Sequence, residues 1–343
     1  MVGVKRLILG SASMKQAVLV TGGAGYVGSH ACKALSQAGY LPVVFDDLRL
    51  GNRWAVKWGP FVEASLRDLD ALTHTMTEHN IAAVMHFAAY SDVGESMLSP
   101  SRYFSNNVAM SQNVLDAMVT CGVSQFVISS TCAVYGQPDQ VPIREDAAIA
   151  PINPYGASKV MLENMAHWYG RAHGIETTAL RYFNAAGADK DGEIGEYHVP
   201  ETHLIPIVVE AALGIRPFIQ VNGTDYDTPD GTAIRDYIHV SDLATAHVAA
   251  LEHRRNESGL TAYNLGTGRG VSIGEVIAAV GEAAGKAPTV RHGPRRAGDA
   301  AVLVADNELV RQALQWQPHQ SDIKTIAETA VHWHRDRLPG LAS

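Results

Sequence analysis

Residues 17–28, Ala-Val-Leu-Val-Thr-Gly-Gly-Ala-Gly-Tyr-Val-Gly, constrain the fold of this 343-residue chain more than any other stretch. A short apolar run at 17–20 reads as a buried strand, and helical spacing begins at Tyr26. Between them Gly22, Gly25 and Gly28 complete a G-x-x-G-x-x-G turn that also contains G-x-G-x-x-G. A strand that passes through such a turn directly into a helix opens a β-α unit of a parallel sheet. The glycines permit a tight turn and let backbone N–H groups approach a pyrophosphate at the positive end of the helix. A glycine-rich turn alone can be purely structural. Here the second strand also ends on Asp46, where a carboxylate accepts hydrogen bonds from an adenosine ribose. The neighbouring Asp47 would repel a 2'-phosphate, so NAD is expected rather than NADP.

The same alternation continues downstream. Strands are expected at 17–20, 42–45, 82–86, 125–129 and 177–181, and helices at 26–38, 68–78, 101–120 and 155–172, several with a glycine near the stop. This is the rhythm of an α/β, doubly wound, Rossmann-type parallel sheet. After Phe183 the rhythm breaks into a Gly- and Asp-rich stretch at 185–200, a helix near 204–213 and a turn-rich segment at 222–231. A late break of this kind builds a smaller lobe over the carboxyl ends of the strands, where ligands bind. The expected organisation is an extension at 1–13 ahead of Met14, a dinucleotide-binding domain at 14–183, and a substrate lobe over most of 184–343 with some segments returning to the first domain.

Composition excludes several alternatives. No apolar run reaches the ~20 residues of a membrane span, and the Leu7-Ile8-Leu9 run is too short for a signal peptide. With 27 basic and 35 acidic residues the net charge is -8, without the basic stripe that nucleic acid requires. Cys32, Cys121 and Cys132 form no C-x-x-C pair, which points to free thiols in a reducing cytoplasm. His167 with His173, and His332 with His334, lack the i, i+4 spacing of two ligands on one helix face, so no metal is expected.

A second constellation carries the chemistry. Tyr155 and Lys159 stand four residues apart at the start of a helix, and Thr131 lies just past a strand end. One turn of separation places phenol and ammonium on one face, where the cation can lower the phenol's pKa and make it an acid-base group. In isolation Tyr-x-x-x-Lys is a common surface pair. Joined to a dinucleotide fingerprint upstream and a hydroxyl after the intervening strand, it reads as catalytic. His86 reads as a core histidine, and Phe87 as either core or cofactor wall.

On these motifs the chain resembles the extended short-chain dehydrogenase/reductase family, and within it the UDP-glucose (UDP-galactose) 4-epimerases. The likeness runs from Met14 through His86-Phe87-Ala88-Ala89, Val93-Gly94-Glu95-Ser96, Ser129-Ser130-Thr131, residues 154–159, Arg181-Tyr182-Phe183-Asn184, residues 235–240 and Tyr263-Asn264-Leu265-Gly266. It implies a tightly held NAD lined by Gly22, Gly25, Tyr26, Val27, Gly28, Asp46, Asp47, Ser65, Leu66, Phe87, Ala88, Ala89, Asn107, Ser129, Tyr155, Lys159, Tyr182 and Phe183. It implies a UDP-sugar held by Thr131, Tyr155, Asn184, His203, Leu204, Gln220, Asn222, Arg235, Arg296 and Asp299, with Leu303 as a gate beside the sugar's C2 substituent. Guanidinium forks suit a diphosphate, although Arg235 and Arg296 taken singly read as surface ion pairs, Asn184 as a turn cap and Leu303 as core. A homodimer through the 101–120 and 155–172 helices is also implied.

Some positions depart from the better-known relatives: Thr131 stands for serine, Ser65 for aspartate, Asp47 for asparagine and Ser91 for lysine. The implied reaction has Tyr155 and Thr131 removing the 4-hydroxyl proton while hydride leaves C4, then returning both on the other face. UDP-pentose and UDP-N-acetylhexosamine are alternative substrates. A sugar-nucleotide dehydratase would carry Asp-Glu directly after Thr131, where this chain has Cys132 and Ala133; a non-catalytic NAD sensor would have lost Tyr155 or Lys159.

Overall fold

The computed structural model describes residues 16–253, 258–295 and 300–340. The expected extension at 1–13 lies outside the described residues. A seven-stranded parallel sheet contains β1 (Ala17–Thr21), β2 (Leu41–Asp46), β3 (Phe61–Glu63), β4 (Ile81–His86), β5 (Gln125–Thr131), β6 (Glu176–Tyr182) and β11 (Gly259–Leu265). The spatial order is β3-β2-β1-β4-β5-β6-β11, a doubly wound order whose direction reverses between β1 and β4. That reversal opens a crevice at the carboxyl ends of those two strands.

Side-chain alternation along buried strands feeds two cores. Val18 and Val20 of β1 face α1 (Tyr26–Gln37) and α8 (Val240–Glu252), while Ala17 and Leu19 face α2 (Leu69–Glu78), α5 (Met110–Cys121) and α6 (Pro154–His173). The expected strands and the helices at 26–38, 68–78 and 155–172 match these elements to within two residues. The helix expected at 101–120 is built in pieces: after α3 (Val93–Leu98), α4 (Pro100–Tyr103) passes through a π-helical turn (Phe104–Ala109) into α5. Asn107 sits in that turn, where the wider winding brings its amide against neighbouring segments. Helix α6 starts where the Asn153 side chain accepts from the Gly156 N–H at 2.8 Å with Pro154 at the first position, and it ends on left-handed Gly174.

The order after residue 183 is richer than its turn-rich composition suggests. Helix α8 packs on α1, and β11 pairs with β6 from Glu176↔Gly259 to Tyr182↔Leu265. Both join the first layer across long sequence separations. The other segments form a second core around α7 (Leu204–Ala212), α9 (Ile273–Ala284) and α11 (Ile323–His332), with Val208, Val209, Val276, Val280 and Ile326 inside. Short strands edge it: β7 (Asn184–Ala186) with β10 (Tyr237–His239), β8 (Ile219–Asn222) with β13 (Val290–Gly293), and β9 (Ile234–Arg235) between β12 (Val271–Ser272) and β14 (Val302–Leu303). Helix α10 (Glu308–Leu314) adds Val310 and Leu314 to the first core. The two lobes are tied by Lys33 of α1, whose ammonium donates to Asp189, Asp191 and Glu193 at 2.8, 3.2 and 2.6 Å.

Candidate active site

The glycine-rich turn follows from sterics. Gly22 adopts φ +72°, and a Cβ there would stand 2.5 Å from the Ala88 nitrogen; one on Gly28 would stand 2.2 Å from the Gly22 carbonyl oxygen. The turn therefore closes only with glycine at both positions, and it sits at the β1/β4 switch point. Gly25 caps α1 without a side-chain hydrogen bond, so the N–H groups of the first turn face outward as an anion site. At the end of β2, Asp46 accepts from the Ala24 and Leu48 N–H groups at 3.0 and 2.9 Å, which positions its carboxylate beside the turn. Asp47 pairs with Arg49 at 3.2 Å. Together these residues fit a dinucleotide.

Phe87, Ala88 and Ala89 continue from β4 as half-buried wall opposite the turn. Behind them His86 is buried and bonded at both nitrogens, to Thr21 at 2.6 Å and Ser111 at 2.8 Å. Burial pushes its pKa down to about 3, so it is a neutral core histidine. Asn107 is buried, with its amide donating to the Tyr90 carbonyl and Ser158 and accepting from the Tyr90 N–H. The side chain thus clamps the 87–90 wall to α6. Ser65 and Leu66 follow β3, with the Leu66 carbonyl accepting from Asn113 at 2.8 Å.

Thr131 ends β5, and its hydroxyl is hydrogen-bonded to the Tyr155 phenol at the start of α6. One turn later, buried Lys159 donates from Nζ to the Ser129 carbonyl oxygen at 2.8 Å. Ser129 Oγ in turn shares a hydrogen bond with the Tyr182 hydroxyl. The electrostatics correct the sequence-based expectation that Lys159 lowers the Tyr155 pKa. Burial pushes the phenol up to about 12 against the lowering effect of Thr131, and the same burial pushes Lys159 down to about 8. Desolvation outweighs the one-turn neighbour because the ammonium is aimed at Ser129 rather than at the phenol.

Strand β5 is held from behind by residues that spacing alone did not single out. Glu163, one turn past Lys159, accepts from Ser130 at 2.5 Å and pairs with buried Arg181 at 2.6 Å. Arg181 also donates to Tyr135, which donates to Asn264 at 2.8 Å. Asp236 is fully buried and accepts from Thr267, Gly268 and Ala305, so it staples the second lobe rather than facing a ligand.

Apart from Thr131 and Tyr155, the expected substrate residues that are described stand on elements after residue 183. Asn184 begins β7 with its N–H on the Asp236 carbonyl at 3.0 Å, and His203 and Leu204 open α7. Gln220 donates to Asn222 at 2.8 Å along β8. Arg235 of β9 lies in register with Leu303 of β14, and its charge reaches Cys132 beside Thr131. Leu303 is half-buried against the small cluster of Val134, Tyr135, Ile143, Phe183 and Ala305. A short strand and a place in the cluster that follows Thr131 therefore coincide there. Arg296 and Asp299 lie outside the described residues.

Residues 18–266 match the model of the NAD dependent epimerase/dehydratase family. A UDP-glucose 4-epimerase of Rhizobium meliloti (strain 1021) is 47% identical over 323 residues, covering 94% of this chain and 98% of that protein. The crystal structure of UDP-glucose 4-epimerase from Brucella ovis in complex with NAD is 49% identical with a TM-score of 0.90, covering 93% of this chain and 98% of the other. The UDP-glucose-4-epimerase from Stenotrophomonas maltophila, with bound NAD and formylated UDP-arabinopyranose, is 38% identical with a TM-score of 0.91, covering 95% and 99%.

Proposed function

This chain belongs to the NAD dependent epimerase/dehydratase family, and on that premise we propose that it is an NAD-dependent isomerase that interconverts UDP-glucose and UDP-galactose. The observation that carries the reading is Tyr155 hydrogen-bonded to Thr131 at the carboxyl end of β5, on the same sheet edge as the glycine turn and separated from it by β4, with no acid-base pair following Thr131. Bound NAD supplies the acceptor of the C4 hydride and the donor that returns it to the opposite face of the sugar.

Every other part of the reaction is assigned to the chain. Tyr155, assisted by Thr131, takes the proton of the sugar's 4-hydroxyl as the 4-keto sugar forms, and gives it back on re-reduction. Lys159 adds positive charge to the floor of the site, holds the Ser129 carbonyl of β5, and would reach the ribose of a bound nicotinamide. Asn184, His203, Leu204, Gln220, Asn222, Arg235, Arg296 and Asp299 grip the UDP while the hexose turns about its bond to the diphosphate. Gly22, Gly25, Tyr26, Val27, Gly28, Asp46, Asp47, Ser65, Leu66, Phe87, Ala88, Ala89, Asn107, Ser129, Tyr182 and Phe183 line the cofactor side. Residues 14–183 form the dinucleotide domain, and most of 184–343 the substrate lobe, with α8 and β11 returning to the sheet.

Among the described residues no helix is long and apolar enough to cross a membrane, and we place the enzyme in the cytoplasm. We assign it a homodimer through the 101–120 and 155–172 helices. Met161 and Trp168 of α6 supply exposed apolar surface there, Trp168 at 68% exposure. The test is conversion of UDP-galactose to UDP-glucose by purified protein without added cofactor. Activity that requires stoichiometric NAD, or that releases reduced cofactor to solvent, would make this a dehydrogenase.

A further inference from the structure

Between Ile194 and α7 the chain runs through Gly195-Glu196-Tyr197-His198-Val199-Pro200-Glu201-Thr202-His203 and folds four side chains onto one point. One ligand atom from each of Glu196, His198, Glu201 and His203 lies within 4.8 Å of all the others. His203 Nδ1 stands 2.9 Å from a Glu196 oxygen and 3.1 Å from a Glu201 oxygen; His198 Nδ1 stands 3.4 and 3.5 Å from the same two carboxylates. Bonds of 2.0–2.2 Å to a tetrahedral zinc imply ligand-ligand edges of about 3.3–3.6 Å. The two His198 separations fall inside that range and the two His203 separations below it.

We propose that Glu196, His198, Glu201 and His203 form a binding site for one divalent transition-metal ion, Zn2+ by donor type, which clasps the 194–203 loop to the start of α7. Two imidazole nitrogens and two carboxylate oxygens are a donor set suited to zinc. His198 Nδ1 is buried and almost equidistant from one oxygen of each carboxylate, well aligned with neither, as expected of a nitrogen aimed at a shared centre rather than at one partner. The two carboxylates are nearly sealed, with side-chain exposures of 5% and 4%. Buried carboxylates need compensating charge, and one dication with two neutral imidazoles balances two carboxylates as completely as two imidazoliums do.

The loop is held in advance. Gly195 lies so close under the Trp333 ring that a Cβ would stand 2.4 Å from it, and the Trp333 indole donates to the Glu196 carbonyl oxygen at 2.8 Å. Buried His334 lies behind, near enough to feel Glu196 and Glu201. The site also adjoins both ligand faces. The charge of the same carboxylates is felt at the phenol of Tyr26 at the dinucleotide turn, and His203 heads the helix assigned to UDP. Helical i, i+4 spacing could not reveal the cluster, since its Glu-x-His-x-x-Glu-x-His spacing lies in a non-helical loop.

The test uses full-length protein dialysed against a chelator and then titrated with Zn2+ and, separately, Co2+. About one Zn2+ per chain should bind and raise the melting temperature, and Co2+ should give the intense visible bands of four-coordination. His198→Ala and Glu201→Gln should each weaken Zn2+ binding at least ~10-fold, the lower bound for disturbing even an outer-shell partner. His74→Ala, at an exposed histidine paired with Glu78 on α2, should leave binding unchanged. Circular dichroism of both loop variants separates metal loss from unfolding. Binding well below one equivalent, a six-coordinate cobalt spectrum, or equal affinity in folded His198→Ala would overturn the site and leave a metal-free ion-pair cluster. None of these readouts depends on epimerase activity.

Discussion

Lys159→Met should stabilise the cofactor-free chain at neutral pH while abolishing most of its activity. Lys159 is 2% exposed, its ammonium makes one hydrogen bond to the Ser129 carbonyl, and its pKa is pushed from 10.5 down to about 8 by burial. At 1.36 kcal/mol per pH unit this displacement corresponds to about 3 kcal/mol of penalty on the charged form. Methionine removes the charge, keeps most of the volume and forfeits a hydrogen bond worth about 1 kcal/mol, so a net gain of about 2 kcal/mol is expected at pH 7. The sign of the pH dependence discriminates charge from packing. Below pH 8 the lysine is charged in both states and the full penalty applies. Between pH 8 and 10.5 the folded chain has lost a proton that the unfolded chain retains, so wild-type stability rises with pH relative to the variant. Urea unfolding followed by tryptophan fluorescence at pH 7 and pH 10 reads this directly. A variant less stable than wild type at pH 7, or a stability difference that does not shrink at pH 10, would refute desolvation as the dominant effect on Lys159.

Tyr155→Phe should retain fold and cofactor yet lose about three orders of magnitude in kcat, the effect of removing a positioned acid-base group; more than a tenth of the wild-type rate would remove Tyr155 from that role. Gly28→Ala drives a Cβ to 2.2 Å from the Gly22 carbonyl, so the purified protein should carry less than about a tenth of the wild-type NAD, set by the lost approach of the turn to a pyrophosphate, measured by chromatography of the denatured supernatant. Leu303→Tyr should lower kcat/KM for UDP-N-acetylglucosamine at least ~10-fold, about 1.4 kcal/mol, while changing the plain hexose only a few-fold. Equal losses on both substrates would show that the half-buried Leu303 acts through the Tyr135 and Phe183 cluster instead.

What the sequence determined by itself was local. The β1 strand, the glycine turn and α1 are contiguous, and the period of the apolar residues declares each element without reference to the rest of the chain. Tyr155 and Lys159 are legible for the same reason, being one helical turn apart. Tertiary structure decided what depends on distant partners. Strand β3 has only three residues and too short a pattern to announce itself. Strand β11 becomes the sheet edge only because β6, about eighty residues earlier, offers a free ladder, and α8 returns to α1 across two hundred. The direction of the Tyr155 pKa shift also reversed at this level. Spacing places an ammonium near a phenol, whereas burial and the Ser129 carbonyl decide which force governs each group. The Glu196–His203 cluster was invisible for a related reason: its four donors converge through a loop braced on Trp333. Periodicity encodes which way a side chain points along its own element, but burial and convergence are properties of the surfaces that close over it.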